Sequence, residues 1–158
     1  MSIIYLTISR AISFIKLFNL FIQKKKFQII FANKTCEISN GVKLFNPKNI
    51  ILGNNIFFGE NVLLNASKGG FIKIGDNTNL AADIKIISWI NDYDENNKGK
   101  GSIPKDVEIG KNCRIGYNVI IMPGVKIGDS VTIAPMSVVL IDVPSDSTVM
   151  GNPAKIIN

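Results

Sequence analysis

An aliphatic residue recurs every six positions between residues 109 and 139 of the chain. These positions are Ile109, Ile115, Ile121, Ile127, Ile133 and Val139. An α-helix repeats near 3.6 residues and a strand near 2, so a strict period of six indicates a stacked repeat. A second series of mostly small or branched residues lies four places further on and comprises Cys113, Val119, Val125, Val131 and Ser137. We interpret both series as inward-facing.

Turn-forming residues separate the hydrophobic positions of each repeat. The intervening sequences are Gly-Lys-Asn, Gly-Tyr-Asn, Met-Pro-Gly and Gly-Asp-Ser. Gly and Asn adopt positive φ angles at low cost, as a sharp change of chain direction often requires. Each six-residue repeat therefore predicts a short strand followed by a corner, and three repeats predict one triangular coil.

The same period is present, with interruptions, in the first half of the chain. It begins at Ile38, Leu44 and Ile50, slips by two residues, restarts at Leu52, Phe58 and Leu64, breaks at residues 68–70, and resumes at Ile74, Leu80 and Ile86. The second series there comprises Thr78, Ile84 and Ile90. The repeat thus occupies most of residues 34–158, which we predict to form one domain.

A polar stretch from residue 91 to residue 106 interrupts the repeat. It is rich in Asn, Asp, Lys and Gly, and it predicts a loop that leaves the coil. A loop of this length inside a compact repeat domain more often serves a function than not. After the loop the repeat runs unbroken to Val139, and we predict that residues 144–158 cap the end of the coil.

An apolar segment precedes the repeat and predicts an N-terminal α-helix. One helical face of this segment carries Ile4, Ile8, Ile12 and Ile15. With the basic residues that follow, residues 1–33 are predicted to be a helix and a linker. Charged residues interrupt the apolar run at Arg10 and Lys16, so it does not predict a membrane-spanning helix. No small-residue cleavage site follows it, which argues against a secretory signal.

Two roles fit the N-terminal helix equally. It packs against the end of the domain or against a neighbouring subunit, or it lies on a membrane surface. In the second case the lysines at residues 24–26 would contact the lipid headgroups.

The composition of the chain limits the kinds of site that it can form. The chain has 158 residues, of which 46% are hydrophobic and 19% charged, and its net charge is +6. These values suit a folded domain, and no basic stripe interleaved with aromatic residues suggests nucleic acid as a partner. The sequence contains no histidine, which excludes histidine-based metal sites and histidine bases, so no metal is expected. Its two cysteines do not form a disulfide framework.

Residues 42–157 resemble the hexapeptide-repeat acyltransferases, in particular the sugar and polysaccharide O-acetyltransferases related to maltose and galactoside acetyltransferases. The most specific matches are the repeats from Ile109 to Ser130, the sequence Asp142-Val143-Pro144 that ends them, and the closing Gly151-Asn152-Pro153-Ala154-Lys155. The resemblance implies an all-β fold, a left-handed parallel β-helix shaped as a triangular prism. The left hand follows from the resemblance alone, because β crossovers are nearly always right-handed.

The resemblance also implies an assembly and a cofactor. It implies a homotrimer in which coenzyme A lies between neighbouring subunits and the acceptor hydroxyl lies beside the loop. By similarity, the cofactor contacts would involve Gly116, Tyr117, Ala134, Pro135 and Leu140, with Lys155 near the phosphates. Pro135 departs from the family pattern, because proline lacks the N–H that another residue would offer there.

Asn91 is the main departure from the family. The segment Ser88-Trp89-Ile90-Asn91-Asp92-Tyr93-Asp94 places Asn91 where the family has the histidine that takes the acceptor proton. An amide does not titrate near neutral pH, so the expected loss of rate is roughly 10²- to 10⁴-fold if nothing replaces the base. Asp92 is a candidate substitute base. Trp89 and Tyr93 are candidates for binding the acceptor, because an aromatic face suits a sugar ring.

Three interpretations of Asn91 stay open at the level of sequence. The chain is a deliberately inactivated variant, or a natural enzyme whose acceptor is an amine, or a former enzyme that serves as a binding or assembly subunit. The leading hypothesis is a cytoplasmic acetyltransferase, placed in the cytosol or at the inner face of the membrane, that transfers acetyl from acetyl-CoA to a hydroxyl of a sugar or surface polysaccharide. The alternatives are an N-acetyltransferase of a nucleotide-linked amino sugar and a non-catalytic trimeric scaffold.

Overall fold

The computed structural model divides the chain into two compact units, Met1–Asn33 and Lys34–Asn158. It describes residues 34–157 throughout and, before them, residues 12, 13, 15, 17, 18, 21, 22, 24, 25, 27, 28, 30 and 31. In the first unit the described residues from Ile12 to Ile30 have α-helical backbone, and Phe31 N donates to Phe27 O at 2.9 Å. Much of the predicted N-terminal helix lies outside the described residues, so its bounds and its role remain predictions.

No helix in the described part of the chain combines the length and the hydropathy that a membrane crossing requires.

The second unit is built from short strands and one 3₁₀ turn, Pro47–Asn49. The strands are β1 (Cys36–Ile38), β2 (Lys43–Phe45), β3 (Ile50–Leu52), β4 (Ile56–Phe58), β5 (Leu63–Asn65), β6 (Ile72–Ile74), β7 (Asn79–Leu80), β8 (Lys85–Ile87), β9 (Trp89–Tyr93), β10 (Gly99–Pro104), β11 (Val107–Ile109), β12 (Arg114–Ile115), β13 (Ile120–Ile121), β14 (Lys126–Ile127), β15 (Thr132–Ile133), β16 (Val138–Val139), β17 (Thr148–Gly151) and β18 (Ala154–Ile156).

These strands form a parallel β-helix with three faces. Face 1 has the order β1-β4-β7-β12-β15-β17-β18, face 2 the order β16-β13-β8-β5-β2, and face 3 the order β14-β11-β6-β3. Successive strands along the chain belong to successive faces, and strands within a face are parallel up to the antiparallel pair β17–β18 that ends face 1. The all-β prediction and the parallel repeat are confirmed.

The predicted six-residue series forms the core. The residues of this series from 109 to 139 are at most 3% exposed, and strand pairing stacks each one on its counterpart in the next coil, as in Ile115 on Ile133. The ladder on face 2 consists of Leu44, Leu64, Ile86, Ile121 and Val139. Adjacent coils therefore share continuous apolar columns, and their burial excludes water from the prism.

The predicted slip of two residues after Ile50 is present, whereas the expected position of Ile90 is wrong. Ile50 is buried on Ile72, two places before the column in which Leu52 pairs with Ile74. The 3₁₀ turn at Pro47–Asn49 accounts for the slip of two residues, because it lengthens the first coil before β3 begins. Ile90 was expected to face inward but is 38% exposed, since the chain leaves the coil directly after Ser88.

The edges of the prism explain the turn residues. The edge between faces 1 and 2 (edge 1–2) and the edge between faces 3 and 1 (edge 3–1) each place one residue per coil at φ between 54° and 75°. Edge 3–1 has Asn55, Asn77, Asn112, Ser130 and Asp146 at that position, and edge 1–2 has Gly41, Asn61, Asp83, Asn118 and Met136. The side-chain amide of Asn55 donates to Asn77 Oδ1 and that of Asn77 to Asn112 Oδ1, each at 3.2 Å, which adds a polar ladder outside the core.

The predicted loop is an ordered β-hairpin. It leaves the edge between faces 2 and 3 (edge 2–3), and β9 and β10 pair antiparallel with Asn91 opposite Ser102. A turn closes the hairpin, where Asp94 Oδ1 accepts the N–H groups of Asn96 and Lys98 at 2.9 and 2.8 Å. Breaker residues led to the expectation of a loop, but Gly99, Gly101 and Pro104 lie within β10, where pairing accommodates them with a register shift between Gly99 and Gly101.

The base of the hairpin is fixed by Ser88, which is fully buried. Its hydroxyl donates to Gly70 O at 2.9 Å, and its carbonyl accepts Lys105 N at 2.9 Å. Gly70 has no space for a side chain, because a Cβ there would overlap the Ser88 carbonyl oxygen. The two strands of the hairpin therefore start from a rigid contact between neighbouring coils.

Gly70→Ala is expected to lower the free energy of unfolding by about 2 to 3 kcal/mol, since the new methyl group forces the base of the hairpin apart. The matched control is Gly99→Ala in the same hairpin, where a Cβ meets nothing within 4 Å. That variant should be neutral or more stable by up to about 1 kcal/mol. Urea unfolding of both variants gives the comparison, and equal losses would contradict the role assigned to Gly70.

Met136→Asn is expected to stabilise the chain by about 1 kcal/mol, because a left-handed φ is costly for methionine and cheap for asparagine. Met136 has φ 64° and is 68% exposed, so little packing is lost. Met122→Asn provides the control at another exposed corner, since Met122 is not among the residues with positive φ. The prediction would be wrong if the two substitutions shifted the urea midpoint equally.

Cys113 should make stability fall at alkaline pH. Burial raises the pKa of its thiol above the ordinary value, so the folded state retains the proton while the unfolded state loses it. This contribution to stability is present below the pKa of the unfolded thiol and is lost as the pH rises through that of the folded one. Cys113→Val should flatten the decline of unfolding free energy between about pH 8 and pH 10. An identical decline in both proteins would refute the assignment.

Candidate functional site

One face of the hairpin presents aromatic and neutral polar groups. Trp89, Asn91 and Tyr93 alternate along β9 and so share a face, and Asn91 Nδ2 donates to Tyr93 Oη at 3.1 Å. The register of β10 places Ser102 and Pro104 opposite Asn91 and Trp89. We call this surface, made by these five residues, the hairpin face. It combines an aromatic ring with hydrogen-bonding groups that carry no charge.

Trp89 is held in place from within the coil. Its indole Nε1 donates to Asn65 Oδ1 at 3.3 Å, and Asn65 ends β5 on face 2. The ring is half-buried beside Ser88, so its orientation is set by the prism and not by the hairpin alone. Sequence analysis did not identify Asn65 as part of the site, because the contact joins residues 24 positions apart and follows only from the register of the coils.

The reverse side of the hairpin carries different groups. Ile90 and Ile103 pair across the strands and are 38% and 39% exposed. Asp92 alternates with Asn91 and therefore lies on this reverse side, opposite Gly101. The structure thus separates Asp92 from Asn91, although the two were proposed together from the sequence.

Four of the predicted cofactor residues lie together on edge 1–2. Gly116 and Tyr117 form the corner of one coil, and Ala134 and Pro135 form the corner of the next. Met136 N donates to Tyr117 O at 2.8 Å, which ties the two corners together. A Cβ on Gly116 would lie 2.6 Å from Pro135 N, so the close stacking of these corners requires glycine there.

Leu140 and Lys155 lie elsewhere. Leu140 is 51% exposed and occupies edge 2–3, the same edge from which the hairpin leaves. Lys155 lies on β18, where it pairs with Met150 beyond the last coil of face 1. In one chain the predicted cofactor residues are therefore divided between two edges of the prism and its end. Whether they bind coenzyme A stays a prediction.

Several charged groups of face 3 contact one another or the backbone. On face 3, Lys126 Nζ lies 3.7 Å from Glu108 Oε1, and Lys126 N donates to Asp142 Oδ1 at 2.7 Å. Within the part of the chain that the structure describes, no three His, Cys, Asp or Glu side chains come together in a group able to hold a metal ion.

Sequence comparison detects a transferase repeat in this chain. Residues 106–140 match the family described as bacterial transferase hexapeptide (six repeats). The galactoside O-acetyltransferase of Escherichia coli is 31% identical over 110 residues, which are 66% of this chain and 54% of that enzyme. An acetyltransferase-like protein of Saccharomyces cerevisiae is 36% identical over 110 residues, again 66% of this chain and 56% of that protein. The chain thus spans little more than half the length of either relative.

Solved structures agree with this relationship. A maltose O-acetyltransferase from Clostridium difficile superposes with a TM-score of 0.73 at 32% identity, covering 79% of this chain and 66% of that one. A hexapeptide-repeat acetyltransferase from Vibrio cholerae, complexed with acetyl coenzyme A, gives 0.74 at 25% identity, covering 86% and 76%. An N-acyltransferase from Bacillus cereus, complexed with dTDP and coenzyme A, gives 0.61 at 25% identity, covering 79% and 81%.

The six-residue repeat, the strand register and these relatives agree on the parallel coil. Strand pairing stacks the aliphatic residues of the six-residue period on one another, as a hexapeptide repeat requires. The repeat of residues 106–140 belongs to the family of bacterial hexapeptide transferases, and the chain as a whole is similar to acetyltransferases built on that repeat.

Proposed function

We propose that this chain transfers an acetyl group from acetyl-CoA to a sugar or surface-glycan acceptor. The family supports acyl transfer, and acetyl-CoA occupies the related V. cholerae structure. The hairpin face carries the proposal for the acceptor, since an oriented indole beside neutral hydrogen-bonding groups is the surface that a sugar ring and its hydroxyls require. The left-handed coil that the family resemblance implies belongs to this proposal too.

The division of the candidate residues supports a shared site in a homotrimer. Tyr117 and Pro135 lie on edge 1–2, whereas Asn91 lies on a hairpin that leaves edge 2–3, so the width of face 2 separates them in one chain. A cyclic assembly brings the edge of one subunit beside the hairpin of the next. The acetyl donor and the acceptor would then meet only between two copies of the chain.

Within such a site each group has a defined task. Backbone N–H groups at the corners would stabilise the oxyanion that forms when the thioester carbonyl is attacked, as preorganised donors do in other acyl transfers. Pro135 offers no N–H, so that donor has to come from another corner residue. Trp89 would stack on the acceptor ring, and Asn91 with Tyr93 would orient the attacking group. Family membership leaves the attacking atom open, because relatives include both O-acetyltransferases and an N-acyltransferase.

Trp89→Ala tests this arrangement. Loss of the stacking surface should lower kcat/KM for the acceptor about tenfold, which corresponds to an aromatic contact of about 1.4 kcal/mol. Affinity for acetyl-CoA should stay unchanged, because none of the predicted cofactor residues belongs to the hairpin. Acetyl-CoA binding is measured by calorimetry and transfer by the release of the coenzyme A thiol.

Phe57→Ala serves as the matched control, since Phe57 is a partly exposed aromatic residue on face 1, away from the hairpin. It should leave kcat/KM within about twofold. Absence of acetyl-CoA binding to the unmodified chain would overturn the proposed function itself. Equal losses in the two variants would remove Trp89 from the acceptor site.

A further inference from the structure

We propose that the attacking group of the acceptor is the neutral amine of an amino sugar, held at Asn91. This proposal rests on the proposed function, since it concerns the acceptor of the same site. It replaces the hydroxyl that the sequence favoured. The reason is the placement of every carboxylate in residues 89–106 relative to the hairpin face.

The two nearest carboxylates are directed away from Asn91 or already engaged. Asp92 lies on the reverse side of β9, because successive residues of a strand point to opposite faces. Asp94 sits in the turn, where its Oδ1 accepts two backbone N–H groups at 2.9 and 2.8 Å. Neither carboxylate can take a proton from a group bound beside Asn91 in the same chain.

The other two carboxylates lie at the two ends of the hairpin. Glu95 belongs to the turn, four residues beyond Asn91 and past the end of β9 at Tyr93. Asp106 lies four residues beyond Ser102, the partner of Asn91, and past the end of β10 at Pro104, at the opposite end of the hairpin. Asp106 Oδ1 also accepts Phe71 N at 2.8 Å, which secures the return of the chain to the coil.

The groups that remain on the hairpin face are poor bases. They are an amide, a phenol, an alcohol and an indole, belonging to Asn91, Tyr93, Ser102 and Trp89. The sequence supplies no histidine from this chain or from another copy of it. The two lysines of β10 and its base, Lys100 and Lys105, bring hydrogen-bond donors to the hairpin and no acceptor.

An amine needs no base in order to attack. A sugar hydroxyl must lose its proton as the new bond forms, whereas an uncharged amine already carries a free electron pair. Its nitrogen attacks the thioester carbonyl carbon, and a C–N bond forms as the C–S bond breaks. The electrons of the C–S bond leave with sulfur, and the proton of the resulting ammonium passes to that sulfur through solvent. The products are the N-acetylated sugar and coenzyme A as its thiol, so atoms and charge balance.

Asn91 suits this task better than a base would. Its amide oxygen can accept one N–H of the amine, while its amide N–H group is already donated to Tyr93 Oη at 3.1 Å. Holding the amine through an N–H directs the electron pair away from Asn91 and towards the donor. Asn91 therefore acts as a binding group for the acceptor, and the acceptor supplies its own nucleophile.

Matched acceptors test the proposal on the full-length chain. Glucosamine is compared with glucose, and dTDP-4-amino-4,6-dideoxyglucose with dTDP-6-deoxyglucose, each with acetyl-CoA. Coenzyme A release and mass spectrometry of the products report the transfer. We expect kcat/KM for the amine member of at least one pair to exceed that of its hydroxyl partner by 100-fold or more.

The pH profile gives an independent readout. Transfer to an amine with a pKa of about 8 should rise tenfold per pH unit below that value and level off above it, because only the unprotonated amine attacks. Replacing the acceptor by an amine of lower pKa should move the profile to lower pH by the same amount. A profile that stays in place when the acceptor pKa changes would reveal a titrating protein base and would overturn the proposal.

Three variants complete the test. Asn91→Ala should lower amine transfer about tenfold through loss of one hydrogen bond. Asn91→His should raise transfer to the hydroxyl acceptors by about 10²-fold, since it adds the missing base. Asp92→Asn should alter amine transfer less than threefold, and a loss of 100-fold or more would show that a carboxylate acts as the base.

The failures of the two proposals are distinguishable. If acetyl-CoA binds and the hydroxyl acceptors react as fast as the amines, the amine inference is wrong and the proposed function stands. Binding of acetyl-CoA with no transfer to any of these amines also overturns the amine inference. If acetyl-CoA does not bind, both proposals fall.

Discussion

Stacking of apolar side chains between successive coils is the interaction on which the rest of this structure depends. Each inward residue contacts its counterpart above and below, so a column such as Ile74, Ile109 and Ile127 is buried only if all three strands keep one register. A slip of one residue would turn the column outward and replace it with the polar outer residues. The register is thereby fixed locally, coil by coil, and the long hairpin can be inserted without disturbing it.

The edges of the prism contain the residues that do not belong to the apolar columns. Close stacking at Gly116 and Gly110 leaves no room for a Cβ, because the backbone of the next coil lies within 3 Å. Left-handed corner residues turn the chain into the next face, and their side chains are directed to solvent or to one another. Away from these close contacts and left-handed corners, substitutions at the edges cost little stability, so binding groups can accumulate there. The hairpin is the largest such variation, and Ser88 joins it to the core.

The chemistry of the hairpin face follows from its lack of charge. Transfer of an acetyl group to a hydroxyl requires a base within hydrogen-bond reach of the acceptor. Here the strand register directs Asp92 to the reverse side and the turn engages Asp94, so the neutral groups are left alone with the acceptor. A sugar amine fits this surface because it brings the electron pair that the protein does not supply. The reverse side carries the exposed pair Ile90 and Ile103 together with Asp92.

The sequence by itself determined the coil. A period of six allows no other regular packing, and the inward residues, the corners and the interruption at residues 91–106 all follow from it. The sequence also singled out Asn91 and the aromatic residues beside it. It failed at Ile90, where the start of the hairpin changes the spacing without changing the type of residue.

Only the tertiary structure decided which groups share a surface. Asn91 and Asp92 lie on opposite faces of the hairpin. These faces are defined only by the pairing of β9 with β10, and the sequence predicted a loop without such pairing. The contact of Trp89 with Asn65 joins neighbouring coils, and the separation of Leu140 from Pro135 depends on which edge each coil gives them. The sequence shows the repeat directly, because each coil contacts its neighbours through the same positions. The site depends on contacts between residues outside the repeat, and the six-residue period does not predict these contacts.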